Sequence, residues 1–205
     1  MKKLALFRMF LISIALAMSS CAHLRAPTYR GVNCSPPEVS TVVPLSAYIH
    51  KTTGVASFSV PAYATGAVEW LNRVYLEKLL QQGPFTRIKP LGFEAASTEE
   101  AMRLGLGAQC DLILVPELVS LVESSGAMPT ELQVRVSLLE VDTGKLLVGL
   151  RQRATSEPGA NIDLVWNILE GQPALRFRQL AEMLAVQHAR FLASSASGAS
   201  VPGGK

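Results

Sequence analysis

The sequence predicts an α/β fold, a mixed β-sheet of about five strands with helices packed on its faces. Three observations predict it. Short β-type apolar runs alternate with a long stripe at helical spacing; a capping signature over residues 97–100 opens a second helix; and a clean period-2 stretch over 130–141 is followed by Asp142-Thr143-Gly144 and another apolar run. Strands separated by helices make parallel neighbours, and a late hairpin makes antiparallel ones, so the sheet is mixed.

The elements follow in chain order. Residues 22 to about 37 are polar, carry Pro27, Gly31, Pro36 and Pro37 and show no apolar period, so they read as a tether. Val39 to Tyr48 is a candidate edge strand weakened by Pro44, and Gly54 to Val60 reads as a strand closed by Pro61. A helix fits Gly66 to Gln82, where Val68, Leu71, Val74, Tyr75 and Leu79 recur at spacings of three and four, and Gly83-Pro84 stops it. Phe85 to Lys89 is a further strand. In Ser97-Thr98-Glu99-Glu100 a hydroxyl and a carboxylate can satisfy free backbone donors at a helix start; Gly105 and Gly107 are expected to end that helix. Asp111 to Val122 reads as a buried strand. Thr130 to Val141 and Lys145 to Thr155 form a hairpin around a three-residue loop with Gly144 left-handed. That loop sets Val141 opposite Lys145, Leu138 opposite Val148 and Val136 opposite Leu150, with Val134 meeting Gln152. Ile162 to Leu169 reads as a short amphipathic helix, and Pro173 opens a longer one through Leu192, with Phe177, Leu180, Leu184 and Phe191 inward. The tail from 194 to 205 is expected to be disordered. The domain proper is therefore 54–193, after a tethering segment over 21–53.

A chain of 205 residues with 49% hydrophobic and 17% charged residues can build one core, and is neither disordered nor low-complexity. Its amino terminus has the parts of an export signal over residues 1–20: Lys2 and Lys3, an apolar stretch from Met9 to Met18, then small residues. The stretch is too short to span a bilayer, which needs about 20 apolar residues. Without Lys2, Lys3 and Arg8 the chain carries 16 basic against 16 acidic residues. A neutral chain lacks the basic footprint of a nucleic-acid binder.

Met18-Ser19-Ser20-Cys21 resembles the lipobox of bacterial lipoproteins, with Met18 where Leu is favoured; the alternative is cleavage after Ala15-Leu16-Ala17, leaving Cys21 a free thiol. The resemblance implies lipidation of Cys21. Ala22, which is not Asp, then implies sorting to the outer membrane, with the domain facing the periplasm. Two further cysteines, Cys34 and Cys110, remain in an oxidising compartment, and a disulfide between them is one reading. The other is that Cys110, next to the apolar run Leu112 to Val115, is a small core residue.

The runs Gly54 to Pro61, Leu79 to Phe85, Ala101 to Gly105, Asp111 to Val115, Leu138 to Leu147 and the final helix resemble the TolB amino-terminal-like superfamily over about residues 54 to 192. The resemblance implies a lipid-anchored envelope module that binds and assembles. Its PelC-like polysaccharide export lipoproteins are nearest in size and plan; its cell-wall synthase activators carry a longer linker, and its curli secretion lipoproteins need extra strand segments. Partners implied are copies of the chain and an envelope protein or anionic polymer.

Catalytic constellations are not seen. His23, His50 and His188 lack metal-ligand spacing, and His188 is expected on a helix surface. No G-x-S-x-G or H-E-x-x-H is present, and Gly144-Lys145 lacks the glycine that a P-loop needs at Leu139. Neither enzymatic activity nor a cofactor is expected; a periplasmic enzyme or small-ligand binder is the alternative. The candidate binding residues come from the hairpin register, which puts Arg135 across from Arg151 and Gln133 across from Arg153. Three arginines at one end of a sheet face need neutralising anions. Glu117 or Glu123 can supply them from within the chain; otherwise an acidic partner or polymer does.

Overall fold

The computed structural model describes residues 31–124, 128–159, 162–164, 167–169 and 171–197. The export signal, Cys21 and His23 lie outside the described residues.

Nine strands and three α-helices are described: β1 (Gly31–Cys34), β2 (Glu38–Val42), β3 (Thr52–Ser57), α1 (Val68–Gln82), β4 (Arg87–Glu94), α2 (Thr98–Gly107), β5 (Leu112–Val122), β6 (Thr130–Glu140), β7 (Leu146–Glu157), β8 (Ile162–Leu164), β9 (Asn167–Leu169) and α3 (Phe177–Ser197). A seven-stranded sheet runs β1-β7-β6-β5-β3-β4, and β2 pairs with the same edge of the core as β1, on β7. It is a mixed α/β sheet as expected, with more strands than expected. β3 lies parallel to both β4 and β5, whereas β5, β6 and β7 form an antiparallel meander.

This topology dictates where the helices go. The chain crosses from β3 to β4 in one direction and returns past β3 to β5 in the other. Both crossovers being right-handed, their helices fall on opposite faces. On one face α1 and α3 close the main core, in which Leu71, Val74, Leu180 and Leu184 meet Leu114, Leu132, Val134, Val136, Leu138 and Leu150. On the other, α2 covers only the end near the hairpin turn, where Ala101 packs with Ile113, Leu139 and Val141. A ten-residue helix spans about 15 Å, so among the described residues no helix covers the rest of that face.

The local signals work as the sequence implies. α1 ends at Gly83 in the left-handed conformation, its N–H donating to the Leu79 carbonyl. At the start of α2 the Glu100 N–H donates to Ser97 Oγ at 3.2 Å, and Glu100 Oε2 accepts from the Ala96 N–H at 3.1 Å. The end of α2 differs from expectation: the helix passes through both glycines, and Gln109 takes the left-handed turn at φ 54°.

The β6–β7 register places Leu138 opposite Val148, Val136 opposite Leu150 and Val134 opposite Gln152. Near the turn it shifts by one residue, so Leu139 faces Leu146 and Val141 does not meet Lys145. Val141 is instead drawn under α2, and its N–H donates to the Asp111 carbonyl. Gly144 is left-handed at φ 67°, as the loop requires.

Four further expectations are corrected. Gly31–Cys34, inside the presumed tether, is a strand paired with 154–157 of β7. Residues 162–164 and 167–169 form a two-stranded antiparallel pair where a short helix was expected. The last helix begins at Phe177 and continues to Ser197, so 194–197 are helical and Ser195 and Ala196 are buried; 198–205 lie outside the described residues. Finally, Cys34 and Cys110 are free thiols. Cys34 sits on β1 and Cys110 just before β5, with β7 and β6 between, a separation of about 14 Å at the usual strand spacing. A disulfide requires Cα atoms within about 7 Å, so these two do not pair. Cys110 is the buried core residue of the other reading.

Candidate functional site

The uncovered sheet face carries the functional candidates because the pleat sends every second residue of β5, β6 and β7 there. The inward set is the apolar core, and the outward set is polar. Arg135 lies directly across from Arg151, and Gln133 across from Arg153. The three sequence-predicted arginines therefore share one face.

Their neighbours neutralise them unequally. Glu117 faces Arg135 across β5, and Arg135 Nη1 donates to Glu117 Oε2 at 3.0 Å. Arg153 Nη2 pairs with Glu131 Oε2. Both pairs are open to solvent, so each contributes roughly 0 to 1 kcal/mol. Arg151 Nη2 donates only to the amide oxygen of Gln133, at 3.3 Å. Its Nε is buried without a partner, although Glu38 of β2 stands directly across from it. Of the two carboxylates proposed from sequence, Glu117 takes the role and Glu123, beyond the end of β5, does not. Glu131 and Glu38 were missed. Glu131 was legible, since it lies diagonal to Arg153 on the same face, within reach of a long side chain.

Two cavities open on this face. One, of about 400 Å³, is bounded by Glu38, Ser40, Arg135, Ser137, Gly149 and Arg151. The other, of about 350 Å³, lies between the start of α2 and the strands, beside Ser97, Glu117, Arg135 and Ser137. Arg135 and Ser137 border both, so the two form one polar trough.

No family model and no curated protein matches the sequence. Among solved structures the chain is similar to the PelC dodecamer from Paraburkholderia phytofirmans, at 13% identity over 84% of this chain and 100% of that one, with a TM-score of 0.49. It is similar to a DUF330 protein from Xanthomonas campestris at 10% identity, over 77% of this chain and 92% of that one, TM-score 0.47. A lipoprotein from Neisseria meningitidis matches at 15% identity, over 70% of this chain and 99% of that one, TM-score 0.41.

The chemistry available to the trough is recognition of anions. Guanidinium groups donate in a fixed fork but do not exchange protons at neutral pH. Among the described residues no three His, Cys, Asp or Glu side chains are grouped to hold a metal ion, and no helix is long and apolar enough to cross a membrane. His188 is not on a surface as expected: it is buried between α1 and α3, with Nδ1 3.1 Å from the Tyr75 hydroxyl. Its spacing after Leu180 and Leu184 and before Leu192 already put it on the inward stripe.

Proposed function

We propose that this chain is a non-catalytic docking module, anchored through Cys21 to the periplasmic face of the outer membrane, that serves the export or assembly of an envelope polymer. The observation that carries the reading is the uncovered face of the sheet. A helix layer closes one side of β5, β6 and β7, while the other presents an ordered arginine–glutamate array beside a polar trough. A sheet face left open and decorated with fixed charges is suited to a partner surface of complementary charge. The anchor rests on the near-lipobox ending at Cys21 with Ala22 after it, and the pathway, PelC-like polysaccharide export, on the superfamily resemblance over residues 54 to 192. Self-association of copies belongs to the same reading.

The test is made in cells. Wild-type protein should incorporate radiolabelled palmitate and fractionate with the outer membrane, and Cys21→Ser should lose both. Arg151→Gln with Arg153→Gln should remain anchored and folded yet lower the exported polymer. An unlabelled, soluble wild type removes the anchor from the reading. Normal export with the double variant removes the docking face.

A further inference from the structure

We propose that Arg151, backed by Arg135, forms a socket for one isolated carboxylate, supplied by an acidic side chain of a protein partner. The proposal rests on the reading of this face as a docking surface and names what that surface takes.

The charges on this face are unevenly matched. Arg135 and Arg151 oppose each other on adjacent strands, where Cβ atoms lie about 4.5 to 5.5 Å apart and like charges repel. Arg135 is neutralised by Glu117 and Arg153 by Glu131. Among the described residues Arg151 has no carboxylate within ion-pair distance. A guanidinium has five donors, and among the described residues this one has a single acceptor, an amide oxygen at 3.3 Å, with Nε shielded from water and unmet. Leaving a charged donor buried and unsatisfied is costly, and an anion paired with the Nη end of the same guanidinium, where Nη1 is neither buried nor partnered among the described residues, offsets that cost.

The space around it is shaped for such a ligand. The cavity of about 400 Å³ beside Arg151 adds the Ser137 side chain as a hydroxyl donor, while the Ser40 hydroxyl on its wall donates to the Gly149 carbonyl at 3.4 Å. Gly149 forms part of its wall, and a Cβ there would collide with Ser40 Oγ and force that hydroxyl to turn away. A carboxylate can then take two parallel hydrogen bonds from Arg151.

The surrounding charges say which carboxylate. Glu38 lines the cavity itself, Glu117 stands next to Arg135, and Glu131 next to Arg153. A polymer charged at every residue would meet these three glutamates as well as the arginines. Neither cavity is bordered by an aromatic ring, so no flat apolar platform is present for a sugar face. An alternating array instead favours a partner whose acidic groups are spaced singly, as Asp and Glu are on a protein surface.

The test is a titration of isotope-labelled full-length protein, following the Arg151 Nε–H resonance by NMR. N-acetylglutamate α-amide supplies one lone side-chain carboxylate, N-acetylglutamine amide is the uncharged control, and inorganic phosphate and oligogalacturonate are the competing anions. The lone carboxylate should shift the Arg151 signal and the uncharged control should not. Arg151→Gln should abolish binding with unchanged thermal stability, Arg151→Lys should weaken it by about tenfold through loss of the fork, and Glu38→Gln should tighten it by about threefold through loss of a like charge. The gain from Glu38→Gln cannot arise from unfolding. A stronger response to oligogalacturonate overturns the proposal in favour of a polymer, and an equal response to phosphate overturns the carboxylate assignment. No response to any anion, together with lowered export by Arg151→Gln, overturns the socket and leaves the docking face standing. No response together with normal export by Arg151→Gln and by the double variant overturns both.

Discussion

The Tyr75 hydroxyl lies 3.1 Å from His188 Nδ1, in a pocket of the core where both side chains are buried and α1 meets α3. Phe58 packs edge-on to Tyr75 with ring centroids 4.7 Å apart. Burial pushes the His188 pKa down to about 4 and raises that of Tyr75. The imidazole is therefore neutral in the folded protein, while an unfolded histidine takes up its proton near pH 6.5. As the pH falls the unfolded chain is protonated first, so this group's contribution is complete above pH 6.5 and is lost between pH 6.5 and about 4. The expected loss is on the order of 3 kcal/mol. Urea unfolding at pH 7.5 and pH 4.5 should show it, and His188→Gln should lose less stability over that interval than wild type does.

Gly105 and Gly107 sit two residues apart on α2 and should respond oppositely to alanine. A Cβ at Gly105 would come within 2.5 Å of Val141 Cγ2, whereas one at Gly107 meets nothing within 4 Å. Gly→Ala in a helix gains up to about 1 kcal/mol. Crowding a packed contact costs roughly 1 to 3 kcal/mol. Gly105→Ala should lower the melting temperature and Gly107→Ala raise or preserve it. Adding Val141→Ala to Gly105→Ala should make the second change cheaper than it is alone, because the two positions share one contact.

The thiols give a direct check of the sheet order. Two adducts, at Cys34 and Cys110, are expected when the protein is unfolded without reductant and treated with iodoacetamide. In the folded state burial raises the pKa of both, with Gln187 opposing at Cys34 and Lys89 opposing at Cys110. Cys34 is half-buried and Cys110 buried, so Cys34 should alkylate first. A single disulfide-linked peptide containing both residues would contradict the strand order.

The parts of the fold legible in the sequence are those fixed by local chemistry. The alternation from Leu132 to Leu138 matches the register away from the turn, which sets Arg135 across from Arg151 and Gln133 across from Arg153, whereas the pairing expected at the turn itself is displaced by one residue. The misreadings are non-local. Gly31–Cys34 is four residues long with no apolar alternation, and it is a strand because the outer edge of β7 offers it a ladder more than a hundred residues away. The run Ile162–Leu169 is short enough for either period to fit, and the antiparallel pairing of 162–164 with 167–169 decided for strands. Gln152, polar on the inward face, made the register look flawed at Val134. Its Nε2 instead donates to the Ser35 carbonyl at 2.7 Å and to Gln187, partners supplied by β1's flank and α3, while Oε1 is buried with no partner among the described residues. In the site, Arg153's partner Glu131 follows from the diagonal rule. Glu38 does not, because β2's attachment to β7 is invisible until the chain folds.

The carboxyl-terminal boundary separates a compositional reading from a packed one. Ser194, Ser195 and Ser197 make the segment look like a tail, yet α3 carries Ser195 and Ala196 into the core, two helical turns after His188 and Ala189 respectively and on the same inward face. The Leu45–Tyr48 turn packs against α3, and Leu45 is fully buried. Removing 198–205 takes away no described contact and should leave the melting temperature unchanged. Removing 194–205 deletes the buried Ala196 methyl and frays the turn holding Leu192, at a cost of about 1 to 2 kcal/mol. Thermal unfolding of the two truncations side by side measures the difference. Equal stability would mean that the helix ends functionally at Ala193, and a larger loss from the shorter deletion would place a structural role beyond Ser197.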